Sequence, residues 1–398
     1  PMTDQKHFVV DTNVLIENPK CLKALQNGNE NQIILPYTVL EELDSLKKDQ
    51  RIAHLVSQTI SMIETDPSIV LLKPLSNASH AATTHDNRIL MEILEGHLEN
   101  PILVTNDRIM RIKARLFDIQ SESYRDANPF QSESQLYTGF VESDEAPPAN
   151  SFQWKKGSPF FYDEHGPRPI DYQHQIRGVT PRNVYQNLAL ELMLNPGIDL
   201  TSIQSEAGYG KTFLALTAAL HLILEVKSNP YRKIYLVKPV LEIGAKLGYL
   251  PGNLDDKMAP YIRYVHDLLV KLHEIRPAKR IFLNQDAEPV RLNPKKFEIL
   301  PIAFIRGMNI ENAVVIIDEM QNLSRNETRS LLTRMGEDVK CFCLGDTRQV
   351  DNPYLNASNN GLNWVVKKFK GMKNYGHMVL KGEKSRGPIT DMVLKSGL

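Results

Sequence analysis

The stretch that decides the fold is LTSIQSEAGYGKTFLALTAAL (200–220), where an apolar segment leads into a glycine-containing loop and then an Ala- and Leu-rich segment. This order predicts a buried strand, a phosphate-binding loop over SEAGYGKT (205–212) and a helix. Gly208 and Gly210 allow backbone N–H groups to turn inward, and the helix N-terminus adds partial positive charge. We expect Lys211 to reach the β and γ phosphates of a nucleotide and Thr212 to ligate magnesium. Position 205 departs from the pattern, because it is Ser instead of Gly.

A second motif supports this loop. AVVIIDE (313–319) is an apolar segment that ends in two carboxylates. On its own, such a pair usually marks only the end of a strand. Together with the loop it predicts an ATP site, in which Asp318 holds the magnesium shell and Glu319 orients the attacking water. GDTRQ (345–349) follows a third apolar segment and places Asp346 and Gln349 at the same sheet edge, with Gln349 as a candidate γ-phosphate sensor.

The first third of the chain contains four acidic residues at structurally related places. Asp11 in HFVVDTN (7–13) and Asp107 in PILVTND (101–107) follow apolar, strand-like segments. Glu42 and Asp86 lie in segments with helical spacing, TVLEELDSLKK (38–48) and HDNRILMEIL (85–94). Each acid taken singly is an ordinary turn former. A ring of all four would repel itself unless divalent cations neutralised it, and paired cations activate water for phosphodiester hydrolysis.

Short apolar segments alternate with helical ones in both halves of the chain, which predicts parallel sheets covered by helices on both faces. The predicted strands are 7–10, 33–35, 101–104, 200–204, 233–237, 313–318 and 340–346, and the predicted helices are 38–48, 87–94, 183–194, 211–226, 257–274, 324–336 and 361–369. Residues 122–176 differ, since they are rich in Pro, Ser and aromatic side chains. We expect a small β element there, pairing residues near 135–142 with residues near 151–162. Trp154, followed by two lysines, either stacks on a nucleic-acid base or docks this stretch onto a domain.

The overall composition is that of an ordinary globular protein, with 42% hydrophobic and 24% charged residues. The net charge of zero conceals an uneven distribution: −4 for 1–121, −4 for 122–170 and +8 for 171–398. The basic excess is either a polyanion site or a solvated face. No apolar run is long enough for a membrane helix, and the three cysteines have no metal-ligand spacing, so we expect no membrane association and a cytoplasmic location.

The second half resembles the PhoH family of ATPases. The resemblance is collinear over nearly all of 178–398 and is carried by GVTPRNVYQNLALELMLNP (178–196), the loop, PVLEIGAKLGYLPGNLDDKMAPY (239–261), IAFIRGMNIENAVVIIDEMQN (302–322), LLTRMGEDVKCFCLGDTRQVDNP (331–353) and SRGPI (385–389). It implies a single RecA-like core in which Asn183 and Gln186 contact adenine and Arg386 is an arginine finger. It also implies that Ala207, Gly208, Tyr209 and Gly210 line the phosphates.

This sequence departs from the family pattern at Ser205, at Tyr209, where a small residue is usual, and at Lys238, where we expect Arg. The first two changes would alter loop geometry, and Lys238 lacks the bidentate contact of Arg. One RecA-like core does not easily move along a strand by itself. The family resemblance suggests a homo-oligomeric ring, a hexamer. Such a ring could move along a strand if Arg386 of one copy acted at the nucleotide site of its neighbour.

Residues of about 5–118 resemble a PIN nuclease domain, in which a strand-end DTN, a helical EL glutamate and a later TND carry the metals. The resemblance implies metal-dependent cleavage of single-stranded RNA, with Asp11, Glu42, Asp86 and Asp107 as catalytic metal ligands for Mg²⁺ or Mn²⁺. Asp44 is either an extra ligand or a surface charge. Thr105 and Asn106 either contact the scissile phosphate or cap the following helix.

The combined prediction is an α/β chain with a PIN-like parallel-sheet domain (1–121), a small β-containing linker module (122–176) and a RecA-like P-loop ATPase domain (177–398). The predicted function is that of an ATP-dependent RNA helicase or translocase coupled to an endoribonuclease, with ATP and magnesium as cofactors and RNA as partner. One alternative is an ATP-regulated RNA-binding or scaffold protein with an inactive PIN domain. Another is a toxin-like ribonuclease whose ATPase only controls assembly.

Overall fold

The computed structural model describes residues 5–28, 30–76, 84–124, 136–142, 147–170, 175–239, 254–284, 291–305, 307–352, 355, 357–382, 392 and 396. The chain forms two compact units, Pro1–Gln131 and Ser132–Leu398. Both are mixed α/β with a parallel central sheet, which confirms the predicted fold class. Among the described residues, no helix has both the length and the apolar character needed to cross a bilayer.

The first unit alternates strands and helices. Its elements are β1 (His7–Val10), α1 (Thr12–Glu17), α2 (Cys21–Gln26), β2 (Gln32–Leu35), α3 (Tyr37–Leu46), α4 (Ala53–Thr65), β3 (Val70–Leu71), α5 (His85–Glu95), β4 (Pro101–Val104), α6 (Arg108–Leu116) and β5 (Gln120–Glu122). All strands are parallel, in the order β3-β2-β1-β4-β5. Val10 pairs with Val104, so the residues that follow β1 and β4 meet at one sheet edge.

The second unit begins with an antiparallel three-stranded sheet of β6 (Ser151–Lys155), β7 (Ser158–Asp163) and β8 (Gly166–Pro169). The predicted small β element is present, but the predicted hairpin between 135–142 and 151–162 is wrong. Within 136–142, only Phe140 forms a bridge, a parallel one to Phe152, and residue 135 lies outside the described residues. The hairpin instead turns at Lys156 and Gly157, both with positive φ (51° and 80°), because this two-residue turn matches the twist of its strands.

This small sheet packs onto the rest of its unit. Phe152 and Phe161 are fully buried in the same core cluster as helices of the following domain. Asn150 Nδ2 donates to the backbone oxygens of Lys373 and Tyr375, each at 2.8 Å. Trp154 stacks on Phe140 of the same stretch, with ring centroids 5.2 Å apart and planes 6° apart, and it stays partly exposed, so both alternatives that the sequence offered for it stay open.

The rest of the second unit has a six-stranded parallel sheet in the order β13-β10-β14-β15-β9-β16. Its elements are α7 (Val184–Leu194), β9 (Leu200–Gln204), α8 (Lys211–Leu224), β10 (Lys233–Lys238), α9 (Leu254–Ile275), β11 (Phe282–Asn284), β12 (Arg291–Leu292), β13 (Phe297–Pro301), α10 (Ile302–Ile305), β14 (Ala313–Ile317), α11 (Arg325–Leu332), β15 (Val339–Gly345), α12 (Gly361–Phe369) and β16 (Tyr375–Val379). β14 and β15 are buried along their whole length, as expected for central parallel strands. The carboxyl ends of β9, β14 and β15 are adjacent and form the edge at which the predicted nucleotide residues lie.

Candidate nucleotide and nuclease sites

The loop between β9 and α8 has the backbone that a phosphate-binding loop requires. Gly208 and Gly210 both have positive φ (96° and 78°), a conformation that glycine adopts without the steric cost of a side chain. α8 begins at Lys211, directly after Gly210. Lys211 Nζ donates to the Ser205 backbone oxygen at 3.4 Å, so the ammonium curls back over the loop. The arrangement presents a helix N-terminus and a lysine to an anion.

Asp318 follows β14 and faces the start of α8. Its Oδ2 accepts hydrogen bonds from Thr212 Oγ1 at 3.5 Å and from the Tyr261 hydroxyl at 2.8 Å, and its Oδ1 accepts from the Glu319 N–H at 2.9 Å. Burial, followed by the negative charge of Asp318, raises the pKa of Tyr261 well above its ordinary value, so the phenol keeps its proton. The two oxygens of Thr212 and Asp318 are hard donors at a phosphate-binding loop, and this chemistry fits Mg²⁺.

Glu319 occupies a strained backbone position, with φ of 51°. Burial raises the pKa of its carboxyl, and the ion pair with Lys238, whose Nζ lies 3.4 Å from Glu319 Oε1, opposes that rise. Lys238 Nζ also lies 4.0 Å from the centre of the Tyr261 ring. Lys238 therefore contacts both the predicted water-orienting carboxylate and the tyrosine that bonds Asp318.

Hydrogen bonds join the turn after β15 to the phosphate-binding loop and to the turn after β14. Asp346 Oδ2 accepts from the N–H of Ala207 in the loop at 3.1 Å. Gln321 spans this turn, because its Oε1 accepts from the Asp346 N–H and its Nε2 donates to the Gln349 backbone oxygen, both at 3.1 Å. Arg348 forms an ion pair with Glu206 of the loop. Gln321 and Tyr261 were missed as site residues, and only their positions inside resemblance motifs pointed to them.

The two residues that are predicted to contact adenine make contacts within the protein. Asn183 caps α7 by accepting from the Gln186 N–H at 3.0 Å, and its Nδ2 donates to the Lys381 backbone oxygen at 3.1 Å. Gln186 Oε1 accepts from the Arg182 N–H at 2.8 Å, and its Nε2 donates to the Tyr209 backbone oxygen at 3.0 Å. Gln186 thus links α7 to the phosphate loop. Arg386 lies outside the described residues.

In the first unit, Asp11 is buried at the carboxyl end of β1. Its carboxylate accepts from the Thr12 N–H at 2.7 Å, from Asn13 Nδ2 at 2.8 Å and from Thr105 Oγ1 at 2.6 Å. All three donors are uncharged. Burial raises the pKa of Asp11 to about 7, the Thr105 hydrogen bond opposes this, and the nearby charges of Glu42 and Asp86 add to it. A buried carboxylate bonded by neutral donors is a group that a divalent cation would stabilise.

The other three predicted acids have partners of their own. Glu42 Oε1 lies 2.7 Å from His85 Nδ1, and its Oε2 accepts from the Thr12 hydroxyl. Asp86 Oδ2 lies 3.4 Å from Lys113 Nζ. Asp107 caps α6, with Oδ1 accepting from the N–H groups of Ile109 at 2.7 Å and Met110 at 3.2 Å. In the described part of the chain, no three acidic, His or Cys side chains are arranged to share one ion, so the four-residue ligand set stays a prediction.

Polar residues beside Asp11 fix the edge between β1 and β4. Thr105 Oγ1 accepts from the Asp107 N–H at 3.1 Å while it donates to Asp11. Asn13 Oδ1 accepts from the Asn106 N–H at 3.2 Å, and Asn106 Oδ1 accepts from the Tyr124 N–H at 3.1 Å. These contacts join the loops after the two strands. They give Thr105 and Asn106 structural roles. The capping residue of α6 is Asp107, so the capping alternative for Thr105 and Asn106 is wrong, and contact with the scissile phosphate stays a prediction.

Comparison with known families agrees with this geometry. Residues 178–395 match the family described as "PhoH-like protein". The chain belongs to this family. Residues 8–125 match the PIN domain family, so the chain is a PIN–PhoH fusion, as the sequence predicted.

Curated relatives share both parts. The chain is 31% identical over 442 residues to Protein PhoH2 of Bacillus subtilis (strain 168), covering 96% of this chain and 97% of the relative. It is 24% identical over 445 residues to Protein PhoH2 of Thermobispora bispora, covering 98% and 96%. The solved structure of the PIN domain endonuclease Utp24 is similar over 30% of this chain and 84% of its own, with 19% identity and a TM-score of 0.21. The family assignment therefore rests on the sequence matches.

Membership of this family makes the chain a nucleic-acid-related protein that combines a P-loop ATPase domain with a PIN nuclease domain. In general, such domains use a nucleotide and divalent metal ions. The residues present fit both groups: the loop and Lys211 suit phosphates, and the oxygen donors around Asp318 and Asp11 suit hard cations.

Proposed function

We propose that the protein is an ATP-driven RNA helicase or translocase whose PIN domain is a metal-dependent endoribonuclease for single-stranded RNA. The observation that supports this best is the pair of separate acidic centres, one around Asp318 and one around Asp11, each at the carboxyl edge of its own parallel sheet. One centre adjoins a phosphate-binding loop and the other does not. Two different phosphate chemistries in one chain suit a protein that moves a strand and cuts it.

At the nucleotide site, Lys211 and the loop N–H groups bind the phosphates, while Thr212 and Asp318 hold Mg²⁺. Glu319 orients the attacking water, and Gln349 senses the γ-phosphate. Gln321 holds the turn that contains Gln349 through its hydrogen bonds. Asn183 and Gln186 bind at the adenine end, where Gln186 also supports the loop. Arg386 supplies an arginine finger. The bound magnesium would neutralise charge that develops on the phosphates.

At the nuclease site, Asp11, Glu42, Asp86 and Asp107 hold Mg²⁺ or Mn²⁺, which would activate water for phosphodiester hydrolysis. Thr105 and Asn13 orient Asp11 through their hydrogen bonds. Glu42 and Asp86, which pair with His85 and Lys113 in this structure, would be available to the ion if those pairs opened, and Lys113 would then be available to the RNA backbone.

We further propose a cytoplasmic homo-oligomeric ring, a hexamer, that encloses RNA. This follows from the single phosphate-binding loop, because one RecA-like core needs a neighbouring copy to supply Arg386 and to advance along a strand. Sedimentation of the protein with ATP and magnesium tests the assembly. A monomer that keeps full ATPase activity on dilution would contradict it.

A second candidate is an ATP-regulated RNA-binding or scaffold protein whose PIN acids do not cut. One observation favours it: among the described residues, the PIN acids do not form a three-ligand cluster, and Asp107 is engaged in capping α6. This candidate predicts RNA-stimulated ATP turnover without cleavage. A toxin-like ribonuclease predicts instead that cleavage survives Lys211→Ala but requires Asp11.

The deciding experiment uses one labelled RNA with a duplex and a single-stranded tail. Strand separation and cleavage are followed together, with ATP and either Mg²⁺ or Mn²⁺, for the wild type, Asp11→Asn and Lys211→Ala. We expect Asp11→Asn to abolish cutting while unwinding persists, and Lys211→Ala to abolish unwinding. A wild type that hydrolyses ATP but cuts with neither metal would refute the nuclease assignment and support the scaffold.

A further inference from the structure

Tyr261 is a buried residue at the nucleotide site whose only signal in the sequence is its place at the end of the 239–261 stretch. It lies on α9, whose residues Met258, Tyr261, Val265, Leu269 and Leu272 are buried at helical spacing in the core of the second unit. Burial of the Tyr261 ring in this core restricts its rotation and therefore the places that its hydroxyl can reach. Its hydroxyl lies 2.8 Å from Asp318 Oδ2.

The contact falls on a particular oxygen of Asp318. Oδ2 also faces Thr212 Oγ1 at 3.5 Å, whereas Oδ1 is held by the Glu319 backbone N–H. A partial rotation of the carboxylate about its Cβ–Cγ bond would move Oδ2 away from the Tyr261 hydroxyl and from Thr212 Oγ1 together. The tyrosine hydroxyl therefore opposes the rotation that would separate Asp318 from Thr212.

We propose that Tyr261 is a positioning residue, which holds the Asp318 carboxylate beside Thr212 and so prepares the protein to bind nucleotide together with magnesium. The inference rests on the proposed ATPase function. Tyr261 acts through Asp318 and has no contact with the nucleotide in this scheme. Its contribution is to reduce the orientational freedom that the carboxylate would lose on binding.

Lys238 connects this contact to the second carboxylate. Its ammonium lies 4.0 Å from the centre of the Tyr261 ring and 3.4 Å from Glu319 Oε1. The ring therefore supports the lysine that restrains Glu319, while the hydroxyl of the same side chain restrains Asp318. Replacing Tyr by Phe separates these two roles, since the ring remains and only the hydrogen bond is lost.

The test measures binding of a fluorescent ADP analogue, N-methylanthraniloyl-ADP, to the full chain with Mg²⁺ and with EDTA. Magnesium should tighten binding to the wild type, and the ratio of the two dissociation constants measures that effect. We expect Tyr261→Phe to reduce this ratio about tenfold and to leave binding in EDTA unchanged, as for the loss of one hydrogen bond to a charged group. A matched control is Tyr231→Phe, which removes the hydroxyl of another tyrosine, one that is half-buried. Tyr231 precedes the N-terminal end of β10, whereas Lys238 is at the C-terminal end of that strand.

A double variant separates positioning from general damage. If Tyr261 acts through Asp318, Asp318→Asn alone and Asp318→Asn with Tyr261→Phe should have the same magnesium ratio. A ratio of dissociation constants that Tyr261→Phe leaves unchanged would overturn the inference, whether or not binding weakens equally in Mg²⁺ and EDTA. This outcome would leave the ATPase assignment intact. A wild type that binds no nucleotide under either condition would refute the ATPase assignment, and this inference with it.

Discussion

Gln321 Nε2 lies 3.1 Å from the backbone oxygen of Gln349, so the turn that follows β14 holds the turn that follows β15. The same side chain accepts from the Asp346 N–H, and Asp346 in turn accepts from the phosphate loop at Ala207. One buried amide thus joins the three motifs that the sequence placed on three separate strands.

We expect Gln321→Leu to slow ATP turnover at least tenfold while nucleotide affinity changes less than threefold. The substitution leaves the buried Asp346 N–H without its acceptor and releases the turn that carries Gln349. Turnover and binding of the fluorescent ADP analogue measure the two effects. Gly345→Ala perturbs the same contact independently, since a Cβ there would lie 2.8 Å from Gln321 Oε1. Equal turnover in wild type and both variants would contradict this coupling.

Mn²⁺ binding at the nuclease site should depend on pH. Burial raises the pKa of Asp11 to about 7, so the carboxyl is mostly protonated below that pH and must lose its proton to bind a cation. In an Asp318→Asn background, which removes the carboxylate proposed for the other metal site, Mn²⁺ affinity by electron paramagnetic resonance should rise as the pH passes upward through about 7. Thr105→Val removes a hydrogen bond that lowers this pKa, so the midpoint should move to higher pH. Asp11→Asn should abolish the dependence.

Lys113 and the metal should compete for Asp86. The pair is 3.4 Å apart and partly exposed, and such pairs contribute about 1 kcal/mol or less. We therefore expect Lys113→Gln to tighten Mn²⁺ binding in the same background by about twofold to fivefold. Lys47→Gln is the matched control, because Lys47 pairs with the exposed Asp44 at 2.9 Å. An equal effect of both changes would indicate only a general change in surface charge and would contradict the competition for Asp86.

The stability of the second unit should fall between pH 6.5 and pH 4. His377 is fully buried, with Nδ1 2.6 Å from Ser202 Oγ, and burial lowers its pKa from 6.5 to about 4. The unfolded chain then binds more protons than the folded one in this range, so folding loses up to about 3 kcal/mol as the pH decreases. Urea unfolding at pH 7 and pH 4.5 measures the loss, which His377→Gln should reduce. His165→Gln, at an exposed position, should leave the pH dependence unchanged.

The sequence by itself determined the strands that carry the candidate site residues and the ends of those strands, whereas β3, β5, β13 and β16 were not predicted. The apolar runs before Asp11, Ser205, Asp318 and Asp346 are local signals, and the rule that parallel strands end at one edge brings the residues that follow them together. The prediction omitted α1, α2, α4 and α6. In α6 the apolar residues Ile109, Ile112 and Leu116 have helical spacing but are exposed, while Met110 and Ala114 are buried, so the sequence pattern does not show which face is buried.

Only the tertiary structure decided which side chains support the site. Tyr261 is 57 residues from Asp318, and Thr105 is 94 residues from Asp11, so no local pattern relates them. Their hydrogen bonds exist because packing of α9 and pairing of β1 with β4 place the donors there. The β6–β7 hairpin shows the same limit, because the aromatic content of 122–176 indicated a β element but the turn at Lys156 and Gly157 chose the partners. Sequence thus determines which elements form, whereas contacts between distant elements depend on the packing of the whole unit.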